Sequence, residues 1–146
     1  MIYTFKQICL SIQCEGENLT EIEFIPSAKA TSPKTEVEKQ IKLQLDEYFL
    51  GKRQRFQAAL QLAGTPFQVK VWQALLDIPY GKTESYKELA TRIGHPRAFR
   101  AVGGALNRNP IAIIVPCHRV IGTDGKLTGF AGGLETKKFL LELEQQ

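Results

Sequence analysis

The chain opens on alternation. Between residues 7 and 15, Ile8, Leu10, Ile12 and Cys14 share one parity, and after the polar turn Glu15-Gly16-Glu17-Asn18 the run 19–25 sets Ile22 and Phe24 opposite Glu21 and Glu23. A period of two with one apolar face predicts two antiparallel strands joined as a hairpin. Residues 27–33 read as a polar loop, where Ser32-Pro33 suits an N-cap followed by proline at the first helical position. The spacing then turns helical, with Val37, Ile41, Leu45 and Tyr48 on one face up to Gly51, a C-terminal cap. Residues 1–60 are therefore expected to form a small α/β domain, a small antiparallel sheet plus a helix.

Residues 61–146 read as a second, mainly helical domain. Thr65-Pro66-Phe67-Gln68 combines an N-cap, a helix-initiating proline and a capping-box partner, with Phe67, Val71, Trp72, Leu75 and Leu76 as the core face. Ile78-Pro79-Tyr80-Gly81 ends that helix. Ser85-x-x-Glu88 starts another by the same logic and runs through Leu89, Ala90 and Ile93 to Gly94. A third is allowed from His95-Pro96 and continues over residues 97–107 until Asn109-Pro110. Two short helices joined by a glycine-containing turn, the second rich in arginine, outline a helix-turn-helix. The run Ile111-Ala112-Ile113-Ile114-Val115 is too apolar for a surface strand, so the peptide carrying Cys117 is expected to emerge from the interior, its ladder broken by Pro116. Val120-Ile121 and Asp124-Gly125 suggest a turn, residues 129–133 a flexible loop, and residues 134–146 a closing helix.

A chain of 146 residues, 43% hydrophobic and 23% charged, is long enough to bury a core. Lys6 and Gln7 interrupt the apolar start, and no run of 18 apolar residues occurs, so neither a signal peptide nor a membrane span is expected and the protein is placed in the cytoplasm. Three cysteines without secretory context argue for free thiols. The net charge of +4 is unevenly spread: residues 1–60 carry 8 Lys/Arg against 8 Asp/Glu, whereas residues 85–131 carry 7 against 2. An excess localised in this way, mostly arginine, is the footprint of a polyanion-binding face.

The densest chemical signal is Pro116-Cys117-His118-Arg119-Val120. A thiol attacks as thiolate, and His118 and Arg119 supply neighbours that lower its pKa. Adjacent strand residues point to opposite faces, so His118 can serve Cys117 only if the backbone bends after Pro116. On chemistry alone Cys117 is either a nucleophile or an inert buried thiol. Glu144 lies at the flank of a stripe that includes Leu134, Leu140 and Leu141. Turned inward, it would orient His118 and complete a Cys, His, Glu relay; turned outward, it is a solvated terminal residue. The pair Gly103-Gly104 inside a helix costs about 1 kcal/mol per glycine. Its use is either close helix packing or close approach to nucleic acid, which Arg97, Arg100 and Arg108 favour.

The pentapeptide 116–120 resembles the acceptor-site signature of the O6-alkylguanine-DNA alkyltransferases (methylated-DNA–protein-cysteine methyltransferases). Ser85-Tyr86, Arg100-Ala101-Val102-Gly103-Gly104-Ala105, Asn109-Pro110, Gly132-Gly133-Leu134, Lys137 and Glu144 stand at the family's order and spacing. The resemblance covers roughly residues 60–146; the first 60 match in outline only. It implies a winged helix-turn-helix in the second domain and one irreversible transfer of the alkyl group from O6-alkylguanine, with O4-alkylthymine a second candidate substrate. It implies Cys117 as alkyl acceptor, His118 as its base through a water, Glu144 as the orienting carboxylate and Asn109 as a brace of the active-site turn. Tyr86 would help rotate the nucleotide and stabilise the departing guanine at its ring nitrogen. Arg100 would fill the stack left by the flipped base, while Ala101, Gly103 and Gly104 let the helix sit in the minor groove, flanked by Arg97 and Arg108. The backbone around Val120 and Ala131 would contact the guanine edge, with Arg119 in the same base pocket. The implied partner is double-stranded DNA containing O6-alkylguanine, bound by a monomer with base flipping.

Phe99 departs from the family's small residue on the recognition helix. Cys9 and Cys14, at odd separation on a strand, face opposite ways, with Cys14 buried and Cys9 half-exposed, so no metal is expected; nor is any cofactor. Two other functions fit parts of the pattern. One is a helix-turn-helix DNA-binding module without catalysis. The other is a small cysteine hydrolase built on Cys117 and His118, which the basic cluster disfavours.

Overall fold

The computed structural model describes all 146 residues. The expected hairpin is formed by β2 (Ile8–Glu15) and β3 (Asn18–Phe24), antiparallel with Leu10 opposite Phe24 and Ile12 opposite Ile22. Two further strands flank it. β1 (Ile2–Phe5) pairs antiparallel with β2, and β4 (Ala59–Leu60) pairs parallel with β3. The sheet is thus mixed, in the order β1-β2-β3-β4, rather than antiparallel throughout. Cys9 and Cys14 exchange the expected exposures. Cys9 is buried, with its thiol 3.6 Å from the Ala28 carbonyl in the loop covering that face, while Cys14 is only half-buried just past a register shift.

Helix α1 (Glu36–Phe49) begins three residues after Pro33, at N-cap Thr35 rather than Ser32. Thr35 wins because Glu38 stands at the reciprocal position. The Thr35 hydroxyl accepts from the Glu38 amide (3.1 Å), and the Glu38 carboxylate accepts from the amides of Thr35 (3.3 Å) and Lys34 (2.8 Å). Ile41, Leu45 and Tyr48 form its buried face. Both other capping boxes hold as expected, Thr65 with Gln68 opening α2 (Pro66–Leu75) and Ser85 with Glu88 opening α3 (Tyr86–Arg92). Helix α4 (Phe99–Asn107) starts two residues later than Arg97, after a turn at residues 95–98, and its N-cap Ala98 supplies no side-chain bond. The indole of Trp72 donates to the Ala105 carbonyl at 2.8 Å and fixes α4 against α2.

Residues 111–115 are all buried but do not form a strand. Ile111 makes one parallel bridge with Ile22, and the chain then coils back, the Val115 amide donating to the Ile111 carbonyl at 3.0 Å. Ile113 takes φ +72°, a left-handed conformation that a β-branched residue occupies only under strain. Pro116 leads into a single 3₁₀ turn, Cys117–Arg119. Val120–Ile121, expected in a turn, is instead a short strand β6, parallel to β5 (Glu84–Ser85). The chain closes with α5 (Leu134–Leu143), whose inner row is Lys137, Leu140, Leu143 and Glu144, with Leu134 exposed rather than packed. One hydrophobic core of 29 buried residues runs through residues 1–60 and 61–146 alike, from Tyr3 to Leu143.

Candidate active site

The bend required after Pro116 is present, and it puts Cys117, His118 and Arg119 on one tight turn with separate surroundings. Cys117 is half-buried, whereas His118 is fully buried. Glu144, at the C-cap of α5, turns inward: His118 Nε2 lies 2.6 Å from Glu144 Oε2. Nδ1 of the same ring is buried and has no hydrogen-bond partner in the protein. With Nε2 donating to the carboxylate, Nδ1 is the nitrogen left to accept a proton.

Arg119 was expected as a cationic neighbour of the thiol, but it turns away. Its Nε donates to Glu144 Oε1 at 2.8 Å, Nη2 to Oε2 at 3.2 Å, and Nη1 to the Ile78 carbonyl at 2.7 Å. Burial alone would raise the pKa of Glu144, but His118, Arg119 and Tyr48 outweigh it and the carboxyl is lowered to about 2. The cation that acts on Cys117 is Lys137. Its ammonium donates to the carbonyls of Val120 (2.6 Å) and Thr128 (2.9 Å). The thiol is nevertheless not lowered: burial pushes it above its ordinary range, against the opposing pull of Asn109 and Lys137. Burial likewise holds His118 below its usual value, with Glu144 pulling the other way. A thiol and a neutral imidazole are therefore the resting state of this turn, and the thiolate has to be made when it is used.

Asn109 ties the preceding turn together. Its amide donates to the Val115 carbonyl at 2.7 Å, and its oxygen accepts from the Ile111 amide at 3.0 Å. Tyr86, the first residue of α3, is half-buried and accepts from the Thr128 hydroxyl at 3.2 Å. Val120 is buried and Ala131 exposed in the loop that follows. Gly132 in that loop allows a close approach, since a Cβ there would lie 2.8 Å from the Phe24 ring.

Helix α4 presents Arg100, Ala101 and Gly104 to solvent, with Arg97 and Arg108 exposed at its two ends and Gly103 half-buried. A Cβ added at Gly103 or Gly104 would meet nothing within 4 Å, so close packing inside the protein does not account for either glycine. Phe99 is exposed on the same helix. The basic cluster is smaller than its count. Arg92 is held by Glu84 and Asp77, Arg119 by Glu144, and Lys126 by Asp124, which leaves Lys87, Arg97, Arg100 and Arg108 without an acidic partner. Sequence reasoning gave Lys137 no role. Its signal was the spacing 137, 140, 144, which places a lysine and a glutamate in the inward row of a helix.

The chain resembles proteins of known kind over this same region. A family model described as the DNA binding domain of 6-O-methylguanine DNA methyltransferase matches residues 66–146. The methylated-DNA–protein-cysteine methyltransferase of Methanosarcina barkeri is 64% identical over 102 residues, 70% of this chain, so that the match spans only 65% of that relative's length. The protein of the same name from Haemophilus influenzae is 47% identical over 143 residues, covering 93% of this chain and 80% of the relative. Among solved structures, Mycobacterium tuberculosis OGT in complex with DNA superposes with a TM-score of 0.90 at 46% identity, over 99% of this chain and 91% of that one. An O6-methylguanine DNA methyltransferase from Methanococcus jannaschii superposes with a TM-score of 0.74 at 30% identity, over 99% and 93%.

Proposed function

The chain belongs to the 6-O-methylguanine DNA methyltransferase family, and we propose that it repairs double-stranded DNA by taking the alkyl group from O6 of guanine onto its own Cys117, once and irreversibly. The observation that carries this reading is a half-buried cysteine on one turn with a buried histidine, whose Nε2 is fixed by Glu144 at 2.6 Å and whose Nδ1 is free.

An alkyl group on O6 lies inside the duplex, so the base has to be rotated out, and a lesion that pairs poorly is cheaper to rotate. Helices α3 and α4 form the helix-turn-helix, with the β5–β6 ladder and the loop after it as the wing. Helix α4 enters the minor groove by the face that carries Ala101, Gly103 and Gly104, Arg100 fills the vacated stack, and Arg97 and Arg108 hold the phosphates. The extruded guanine sits between Tyr86 and the backbone of Val120 and Ala131. Arg119 serves this pocket through its main chain, since its guanidinium is committed to Glu144.

In the transfer, the Cys117 proton passes through a water to His118 Nδ1, and Glu144 stabilises the imidazolium that results. The sulfur attacks the alkyl carbon, a carbon–sulfur bond forms as the bond from carbon to O6 breaks, and guanine departs with a proton supplied at its ring nitrogen by Tyr86. The thioether product has no leaving group that water could displace in this site, so the protein is consumed. Such a reaction takes place where DNA is, and we place the protein in the cytoplasm, acting as a monomer. No helix is long and apolar enough to cross a membrane.

The test is intact-mass analysis after incubation with a duplex carrying one O6-methylguanine. A gain of one methyl, localised to Cys117 and absent from Cys117→Ala, is the expected result. Tight duplex binding with no mass change would replace this reading with that of a DNA-binding module.

A further inference from the structure

We propose that Tyr48, supplied by α1 in the N-terminal part of the chain, is a positioning residue for the alkyl-transfer site: its hydroxyl holds Glu144 and, through Glu144, sets the proton affinity of His118. The inference rests on the function proposed above and adds a residue from outside the DNA-binding region to its machinery.

The Tyr48 hydroxyl donates to Glu144 Oε2 at 2.6 Å, across 96 positions of sequence. The same oxygen lies 2.6 Å from His118 Nε2, so Tyr48 and His118 share one acceptor atom. The other oxygen belongs to Arg119 Nε at 2.8 Å, with the Gly81 amide more distant at 3.4 Å. Tyr48 thus completes a carboxylate gripped from both sides. Its ring is fully buried among aromatic neighbours, with centroids 5.3 Å from Phe49, 5.3 Å from Phe56 and 6.2 Å from Tyr80. Packing in such a cage would be served equally by phenylalanine. A hydroxyl there has to be desolvated and needs a partner, and its hydrogen-bond partner is Glu144.

Three donors meet on Oε2, Tyr48 and His118 at 2.6 Å and Arg119 Nη2 at 3.2 Å, and they compete for its negative charge, so the bond from Tyr48 reduces what that oxygen offers to the His118 ring. The other titratable and charged groups around the pair are Tyr80 after α2, Cys117 and Arg119 on the 3₁₀ turn, and Lys137 on α5. None of these changes in Tyr48→Phe. Loss of the hydroxyl therefore leaves Oε2 of Glu144 a stronger acceptor for His118, with Arg119 still in place, and a less firmly held one. His118 then protonates at higher pH, and the base that takes the Cys117 proton is lost earlier on acidification.

The experiment is an NMR titration of the two histidines, His95 and His118, in the full chain and in Tyr48→Phe, alongside single-turnover methyl transfer measured across pH. Phe56→Leu serves as a variant that loosens the same aromatic cage without touching Glu144. We expect the His118 midpoint and the acid limb of the transfer rate to move to higher pH in Tyr48→Phe. The rate at neutral pH should fall about tenfold, in proportion to losing one hydrogen bond to a charged group. Phe56→Leu should lower the melting temperature and leave the His118 midpoint where it is. An unchanged His118 midpoint in folded Tyr48→Phe, or an equal shift in Phe56→Leu, overturns the proposal and makes Tyr48 a packing residue. The titration needs no DNA, so a parent chain that fails to accept a methyl group defeats the functional reading while the hold of Tyr48 on the Glu144–His118 pair is still judged.

Discussion

The ammonium of Lys137 donates to the carbonyl of Val120 at 2.6 Å and, by a second bond of 2.9 Å, reaches Thr128. One buried charge on α5 therefore ties β6 to the loop that leads to Ala131, and Thr128 in turn donates to Tyr86. Lys137→Met keeps the length of the side chain and removes both donors, leaving the buried Val120 carbonyl unpaired. Removing a hydrogen bond made by a charged group costs about 1.5–3 kcal/mol. The denaturant midpoint should fall accordingly, and amides in residues 122–133 should exchange faster than those in α2. Protection lost equally in α2 and the loop would mean that Lys137 supports the whole fold and not this wall of the site.

What was legible in the sequence was what neighbouring residues decide among themselves. The capping boxes at Thr65 and Ser85 are reciprocal bonds within four residues, and they stand in the structure where the pattern puts them. At the start of α1 two caps competed, and Glu38 settled the contest for Thr35 over Ser32. β1 and β4 were not legible, because strands of 4 and 2 residues are too short to show a period and β4 is defined only by its parallel partner β3. The run 111–115 was read correctly as buried and wrongly as extended, since burial does not reveal that Ile113 adopts a left-handed turn. Within the site, the 116–120 signature located the turn, but charge signs alone misplaced the cation beside Cys117. Arg119 follows Cys117 closely in sequence and serves Glu144, while Lys137, on another helix, is the cation whose charge acts on the thiol.

Acid should destabilise the protein through His118 and Glu144 in succession. Burial holds the folded imidazole below its ordinary value, so under about pH 6.5 the unfolded chain binds a proton that the folded one refuses, and stability declines as pH falls. Glu144 adds a second decline. Its folded pKa of about 2 lies under the ordinary 4.5, so its stabilisation is complete above pH 4.5 and is lost as pH falls toward 2. The whole contribution is about 3 kcal/mol. Melting temperatures between pH 7 and 3 should drop more steeply below pH 4.5 in the parent than in Glu144→Gln. Parallel curves would remove Glu144 from the account.

Gly104→Ala should stabilise the protein and impair it. The added Cβ meets no atom of the protein within 4 Å, and alanine gains about 1 kcal/mol over glycine inside a helix. The same methyl stands on the face of α4 that we place in the minor groove. The expected pair of results is a raised melting temperature with a weakened duplex Kd. A higher melting temperature with unchanged Kd would move the DNA to another face.

Alkylation itself should weaken the fold, because the surroundings of Cys117 have little room to yield. Asn109, whose side chain opposes the rise of the Cys117 pKa, also spans the Val115 carbonyl and the Ile111 amide. Those two residues are fully buried and bracket Ile113, whose φ of +72° is already strained. A methyl on the sulfur has to displace either Asn109 or this turn, and one extra carbon forced into a packed site costs about 1–3 kcal/mol. Asn109 lies just beyond the C-cap of α4, so the displacement reaches the helix that we place in the groove. The methylated protein should melt at a lower temperature than the free protein and bind undamaged duplex more weakly, and a benzyl group should exceed methyl in both respects. The check is differential scanning calorimetry on protein shown by mass to be fully alkylated. Equal melting temperatures would mean that the sulfur carries its new group outward, away from Asn109, and that the spent protein is released from DNA by some other change.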